Sequence, residues 1–165
     1  MPANTNQKRE IVIIYRKFDN FDEETVDSIK SFIDSLGLKT IIVNYGNYSI
    51  HEWKKYLGQS LCVIYLTSLT ESQGIAQFEA WSMNVPLFVL NITECNVEGW
   101  NYVGANSSPY LNPQCGELWT GLTELFNLLK NLSERKEIYN PRKYIIDNFT
   151  RRSKSQELLS YFDCQ

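Results

Sequence analysis

The sequence predicts an α/β fold, a Rossmann-like three-layer α/β/α sandwich with an open, mainly parallel sheet of about 4–6 strands and C-terminal helices. Two observations lead to this prediction. Short runs rich in β-branched residues alternate along the chain with segments whose apolar residues recur at helical spacing. The runs are apolar throughout rather than alternately polar, which is typical of strands covered on both faces. Strands joined by helices in this order form parallel sheets with right-handed crossovers.

Four strands and three helices account for the first part of the chain. The strands are predicted at 11–15, 40–43, 61–66 and 86–90, and the helices at about 23–36, 50–57 and 72–83. Asp22 and Ser49 stand where N-caps are expected before the first two helices, and Gly37 follows the first helix as a stop signal.

From Asn91 onward this alternation ends. A loop of about 25 residues follows, rich in Asn, Gly, Ser and Tyr, with one short strand predicted near 107–111. The chain is then predicted to be helical from Gly116, with Leu118 and Leu122 at the start of an apolar stripe, and two shorter helices are predicted at 144–149 and 158–162. Pro141 is predicted to break the chain after the helix that begins at Gly116.

Length and charge limit the possible functions. The 165 residues are expected to form one domain, 1–165, with a flexible polar arm at 1–10. The chain has 16 Lys and Arg against 19 Asp and Glu, a net charge of −3, which argues against a nucleic-acid partner. No stretch has the length and apolarity of a membrane span or a secretion signal, so a cytoplasmic location is expected.

Motifs for metal, redox and hydrolytic chemistry are missing. Cys62, Cys95, Cys115 and Cys164 are scattered without a C-x-x-C pair, so free thiols and no metal site are expected. His51, the only histidine, stands in a polar helix start and is expected at the surface. No strand is followed by G-x-G-x-x-G, G-x-x-x-x-G-K-[ST] or G-x-S-x-G, so classical dinucleotide binding, P-loop hydrolysis and triad hydrolysis are not expected.

Ligands of open parallel sheets bind beyond the carboxyl ends of the strands. Arg16 and Lys17 follow the first strand, where they could neutralise a diphosphate or simply form a solvated strand end. Tyr45 and Gly46 follow the second strand, where glycine allows close backbone approach and the tyrosine ring offers a flat face for a base. An ordinary turn before a helix is the alternative there.

The segment after the third strand is the most specific. Glu71 and the backbone amides of 72–75 stand at a predicted helix start, where hydroxyls and phosphates can bind. Glu79 follows eight residues later, so both carboxylates would lie on one face of a helix that started early. Glu79 also falls among apolar residues, where a carboxylate needs a partner. Alternatively, Glu71 only favours the positive helix end and Glu79 is solvated.

This segment resembles a known family. The E-x7-E spacing within the run ESQGIAQFEAWSMNVPL is similar to the donor-binding signature of retaining GT-B glycosyltransferases, of the glycogen-synthase-like, group 1 or family 4-like type. The similarity continues in the Tyr-Gly turn at 45–46, in SPY at 108–110, in CG at 115–116 and in PRKY at 141–144. It covers most of 11–162.

The resemblance implies that the chain is the donor half of a glycosyltransferase, which binds a nucleoside-diphosphate sugar for glycan or polysaccharide synthesis without a metal or another cofactor. Glu71 would hold the donor sugar and Glu79 the ribose, and Lys17 would neutralise the diphosphate. Glu71 and Lys17 would be the catalytic residues, and the turn at 45–46 would hold the base. The implied donor-binding residues are Arg16, Lys17, Tyr45, Gly46, Glu71, Ser72, Gln73, Gly74, Ile75 and Glu79.

GT-B enzymes have two Rossmann-like domains, and the resemblance covers only the donor half. No acceptor domain is therefore expected here, and activity is expected to require a separate acceptor-domain chain and a glycan or lipid-linked acceptor. Eight basic residues against three acidic ones between Lys130 and Lys154 fit either solvated helices or peripheral contact with an anionic membrane.

Two other functions are alternatives to the transferase. One is a non-catalytic nucleotide-sugar-binding or regulatory module, which would use the same residues and differ only in lacking turnover. The other is a flavodoxin-like signalling receiver. A receiver requires an acidic pair after the first strand, where this chain has Arg16 and Lys17, so it is disfavoured.

Overall fold

Five strands pair in parallel in the computed structural model of the chain, which describes residues 9–17, 21–104, 106–135 and 137–162. The strands of this sheet are β1 (Ile11–Arg16), β2 (Lys39–Asn44), β3 (Ser60–Leu66), β4 (Leu87–Leu90) and β7 (Gly116–Trp119), in the order β2-β1-β3-β4-β7. Helices lie on both faces of the sheet. The predicted three-layer α/β fold with a parallel sheet is confirmed.

The helices begin where the sequence supplies caps. They are α1 (Glu23–Ser35), α2 (Ile50–Gln59), α3 (Ile75–Ser82), α4 (Leu122–Lys130), α5 (Leu132–Arg135), α6 (Pro141–Phe149) and α7 (Arg151–Phe162). The Asp22 carboxylate accepts from Thr25 N at 2.6 Å, and Ser49 and Glu52 form a reciprocal capping box. Both predicted N-caps are therefore confirmed. Among the described residues, no helix combines the length and apolarity that crossing a bilayer requires.

The alternation of side chains along the strands divides the core into two halves. On β1, Val12 and Ile14 pack with α1 and α4, whereas Ile13 and Tyr15 pack with α2 and α3. Consecutive residues at the end of β1 therefore point to opposite faces of the sheet. The cysteines Cys62, Cys95 and Cys115 are buried and free, as predicted, and Cys164 lies outside the described residues, as do residues 1–8 of the predicted arm.

The region after β4 differs from its prediction. Residues 107–111 form a turn rather than a strand. The hairpin lies earlier, where β5 (Glu94–Val97) pairs antiparallel with β6 (Trp100–Val103). Its two-residue turn holds Glu98 and Gly99 at positive φ of 52° and 86°, which is the backbone conformation that tight hairpins favour.

The predicted helical start at Gly116 is also wrong. Gly116 begins β7, the fifth strand of the sheet, and Leu118 pairs there with Val89. The helix starts only at Leu122. Pro141 does not break the chain between helices but is the first residue of α6, where a proline loses no helical hydrogen bond, and Asn140 caps it. The two last helices are correspondingly longer than predicted.

The strand order determines where a ligand can enter. The chain leaves β1 towards β2 on one side and β3 towards β4 on the other, so a crevice opens between the carboxyl ends of β1 and β3. When the five strands of the sheet are numbered along the chain, their order is 2-1-3-4-5, the flavodoxin-like doubly wound order, which has its switch point at the same place. This space beyond β1 and β3 is the crevice.

Candidate functional site

Backbone hydrogen bonds fix the chain at the edge of the crevice. Tyr45 N donates to Arg16 O at 2.8 Å, and Lys17 N donates to Leu66 O at 2.9 Å. These bonds continue the sheet pairing of β2, β1 and β3 to the last residues of the strands. Lys17 and Tyr45 are thus held at the crevice by the sheet itself.

Glu71 lies buried at the crevice, with only 5% of its side chain exposed. The Lys17 ammonium forms an ion pair with Glu71 Oε1, and Tyr65 Oη donates to the same oxygen at 2.7 Å. Lys17 Nζ also lies 5.8 Å from the centre of the Tyr45 ring, within the range of a cation–π contact. A buried carboxylate requires such partners, and here they come from β1 and β3.

The loop between β3 and α3 is braced by residues that follow the β5–β6 hairpin. Glu71 N donates to Asn106 O at 2.9 Å, and Thr70 Oγ1 donates to the same carbonyl at 2.9 Å. Gln77 Nε2 donates to Ser107 O at 2.8 Å, and Ser108 Oγ donates to Gln77 Oε1 at 2.6 Å. The position of Glu71 is therefore defined by its backbone as well as by its side chain.

Helix α3 begins later than predicted, at Ile75 instead of 72. Gly74, at φ 67°, turns the chain into the helix, and a Cβ at this position would lie 2.8 Å from Gln77 Cδ. Ser72 and Gln73 are exposed and precede the helix. Glu71 and Glu79 therefore do not share a helix face, because only Glu79 belongs to the helix.

Glu79 lines a cavity of about 320 Å³ between α2 and α3, called the α2–α3 cavity below. Its other walls include Trp53, Lys54 and Leu57 of α2 and Ile75 and Phe78 of α3. The Trp53 indole Nε1–H is buried and donates to no group in the described part of the chain. A largely apolar cavity with a few polar groups is typical of small-molecule sites.

Aromatic side chains connect the crevice with the α2–α3 cavity. The Tyr15 ring stacks on Tyr65 with centroids 5.0 Å apart, and it packs on Trp53 at 5.4 Å. The Tyr15 and Tyr48 hydroxyls are 3.1 Å apart.

Burial raises the pKa of Tyr65 far above its usual value, and the neighbouring Glu71 charge adds to the rise. Burial and the hydrogen bond to Tyr48 raise the pKa of Tyr15 in the same way.

These raised pKa values of Tyr15 and Tyr65 predict a loss of stability in alkali. In the unfolded chain both phenols ionise near pH ~10, whereas in the folded protein they stay protonated. Deprotonation thus favours unfolding, so the free energy of unfolding should be unaffected by these groups below pH ~10 and fall above it. Urea titrations at increasing pH should show a smaller alkaline loss in Tyr15→Phe/Tyr65→Phe than in the wild type. If the wild type and the double variant lose the same stability in alkali, the pKa values of Tyr15 and Tyr65 are not raised in the folded protein.

Arg16 is not brought to the site. It points to the α1 face of the sheet, where its guanidinium binds Glu23 Oε1 at 2.9 Å. Lys17 faces the opposite side, beside Glu71. Gly46 adopts φ 80° in the turn after Tyr45, and neither residue lines the α2–α3 cavity. The structure thus groups Lys17, Tyr45 and Glu71 at the crevice and Glu79 in the adjoining cavity.

Sequence reasoning missed three groups that shape the site. Tyr65 reads as an ordinary core residue of a buried strand, and Asn106 lies in a segment without a recognisable motif. Gln77 could have been predicted from the sequence, because it is a polar residue in an otherwise apolar helix. In the structure it lies on the buried side of that helix and is 1% exposed.

The basic residues of the C-terminal part are partly engaged within the protein. Arg142 Nη1 donates to Ser82 O at the end of α3 at 2.8 Å, and Lys143 and Lys154 form ion pairs along their own helices. Arg151 and Arg152 are exposed. Membrane contact stays a prediction.

No cluster of three or more His, Cys, Asp or Glu side chains suited to a metal ion occurs among the described residues. His51 is exposed on α2.

Comparison with known proteins adds little. No family model matches the sequence, and no curated protein matches it. A crystal structure of a 3-dehydroquinate dehydratase-like protein from Bifidobacterium longum is similar at 15% sequence identity, with a TM-score of 0.39 over 80% of this chain and 98% of that chain. A similarity this distant carries no argument about function.

Proposed function

We propose that this chain binds a nucleoside-diphosphate sugar as the donor-binding part of a glycosyltransferase. The observation that carries the proposal is the separation of two carboxylates between adjoining spaces. Glu71 lies in the polar crevice between β1 and β3, and Glu79 lies in the largely apolar α2–α3 cavity. A sugar nucleotide has two hydroxyl-bearing ends, a sugar and a nucleoside, joined by a diphosphate.

The α2–α3 cavity suits the nucleoside end. The Glu79 carboxylate can accept hydrogen bonds from two ribose hydroxyls, and the apolar walls can cover a flat base. The Trp53 side chain forms part of these walls. The proposal therefore assigns the base to the cavity rather than to the turn of Tyr45 and Gly46, which the resemblance implied.

The crevice suits the sugar and the diphosphate. Glu71 can accept from a sugar hydroxyl, and the exposed segment at Ser72 and Gln73 lies between the two spaces. Lys17, 19% exposed, can share its charge between Glu71 and the diphosphate. Tyr45, whose ring lies beside Lys17, can cover the diphosphate from the solvent side.

In a transfer reaction, the bond between the anomeric carbon and the diphosphate oxygen breaks, a bond to the oxygen of an acceptor hydroxyl forms, and the proton of that hydroxyl passes to the leaving diphosphate. Lys17 would stabilise the negative charge that develops on the leaving diphosphate. The acceptor, a glycan or a lipid-linked sugar, would be presented by another chain. Turnover of a bound sugar nucleotide distinguishes such a transferase from a binding module that uses the same residues.

Isothermal calorimetry with a panel of nucleoside diphosphates and their sugar conjugates tests this proposal. Glu79→Gln should weaken binding at least ~10-fold, because hydroxyls that bonded to a charge meet a neutral amide instead. Glu24→Gln, on the exposed first turn of α1, is the matched control and should bind like the wild type. Absence of binding at millimolar concentration, or equal binding by Glu79→Gln, would refute the proposal.

A further inference from the structure

We infer that Tyr65 is a positioning residue: it fixes Glu71 so that one carboxylate oxygen, Oε2, is presented to a hydroxyl of the ligand. The inference rests on the proposed function, because it names the protein group that orients the sugar-binding carboxylate.

The two donors to Glu71 converge on one oxygen. Lys17 Nζ and Tyr65 Oη both bind Oε1, and no described residue donates to Oε2. An ionised carboxylate has about four acceptor positions, so the second oxygen keeps its capacity for a ligand donor. The carboxylate cannot rotate to exchange its oxygens without breaking both of these contacts.

Tyr65 is itself held rigidly. It lies within β3 and pairs in register with Tyr15 of β1 and Val89 of β4. Its side chain is 2% exposed, and its ring is stacked on Tyr15 at an interplanar angle of 14°. Because the ring is fixed, its hydroxyl holds Glu71 Oε1 in one position. A preorganised binding site requires side chains held in this way.

Tyr65 and Lys17 serve different purposes at Oε1. Lys17 supplies charge and, at 19% exposure, can also reach a diphosphate. Tyr65 supplies a neutral donor, because a tyrosine hydroxyl is protonated at physiological pH. Loss of the Tyr65 hydroxyl therefore leaves the charge of the site unchanged and releases the orientation of Glu71.

The consequence is a selective effect on the sugar end of the ligand. The nucleoside end would bind in the α2–α3 cavity, where Tyr65 takes no part in the walls. Tyr65→Phe should weaken binding of a sugar nucleotide about tenfold, the loss typical of one misdirected hydrogen bond to a charged group. Binding of the matching nucleoside diphosphate, which lacks the transferred sugar that Glu71 would hold, should not change.

The experiment compares Tyr65→Phe with Tyr15→Phe by calorimetry, using UDP-glucose with UDP and GDP-mannose with GDP. Tyr15 is the matched control, because its ring stacks on Tyr65 but its hydroxyl bonds to Tyr48. The affinity for the sugar nucleotide, divided by the affinity for the matching nucleoside diphosphate, should fall in Tyr65→Phe and stay unchanged in Tyr15→Phe. Equal weakening of both ligands would show a merely structural role and overturn the inference, as would an unchanged ratio.

Two further measurements keep the inference separate from the proposed function. Glu71→Gln should give the same selective loss, which tests the inference if Tyr65→Phe does not fold. If the wild type binds none of the probes, the proposed function fails. The carboxyl carbon resonance of Glu71 then still tests the contact, because it should shift in Tyr65→Phe and stay in place in Tyr15→Phe. A resonance unchanged in Tyr65→Phe would overturn the inference.

Discussion

Replacement of Gly116 by Ala should destabilise the domain by at least ~3 kcal/mol, measured as the free energy of unfolding in urea. Gly116 begins β7 at φ 140°, a conformation that residues with a Cβ rarely adopt. A Cβ there would lie 1.8 Å from Leu87 O and 2.7 Å from Leu87 C, which are backbone atoms of β4. The clash can be relieved only by separating β4 from β7, which breaks the edge of the sheet.

Gly58→Ala is the control for this prediction. Gly58 lies in α2, and a Cβ at this position meets no atom within 4 Å. Alanine there should raise the stability by about 0.5–1 kcal/mol, because it restricts the unfolded chain and favours the helix. If the free energy of unfolding of Gly116→Ala equals that of Gly58→Ala, β4 and β7 do not approach each other as closely as the structure shows.

Lys17→Met should destabilise the protein by about 3 kcal/mol, because it leaves the buried Glu71 charge without its counter-ion. Met preserves much of the volume and the apolar stem of Lys17, so the loss reports on charge rather than packing. Tyr65 would remain the only side-chain donor to Glu71 among the described residues. The same substitution should also weaken diphosphate binding.

A double-mutant cycle separates this effect from a loss of packing. In Lys17→Met/Glu71→Gln the buried charge is gone, and the glutamine carbonyl can still accept from Tyr65. Most of the lost stability should therefore return in the double variant. Additive losses in the cycle would mean that Lys17 and Glu71 do not interact as an ion pair.

The first four strands and the caps of α1 and α2 could be predicted because their signals are local. The run at 11–15 is apolar throughout, and Asp22 and Ser49 each bind amides within three residues of themselves. Strand β7 could not, because its four residues merge into the leucine-rich pattern of α4 and its pairing depends on Gly116 meeting Leu87 from a distant part of the chain.

The site was only partly accessible to the same reasoning. Period-two alternation along a strand would have separated Arg16 from Lys17, although the two are adjacent in sequence. The late start of α3 could not be predicted from the sequence. It depends on the left-handed conformation of Gly74 and on the close contact between Gly74 and the Gln77 side chain. The role of Tyr65 needed the tertiary structure, because a tyrosine in a buried strand gives no sign of the carboxylate that its hydroxyl meets.

The most direct test of the proposed donor site is an NMR titration of the ¹⁵N-labelled wild-type protein with the sugar nucleotide that binds best. The indole N–H of Trp53 and the amides of residues 72–75 should shift. The indoles of Trp81 and Trp119, which already donate to Cys115 O and Phe88 O, should not. Shifts confined to the α1 face around Arg16 and Glu23, or no shifts at millimolar ligand, would contradict the assignment of this site.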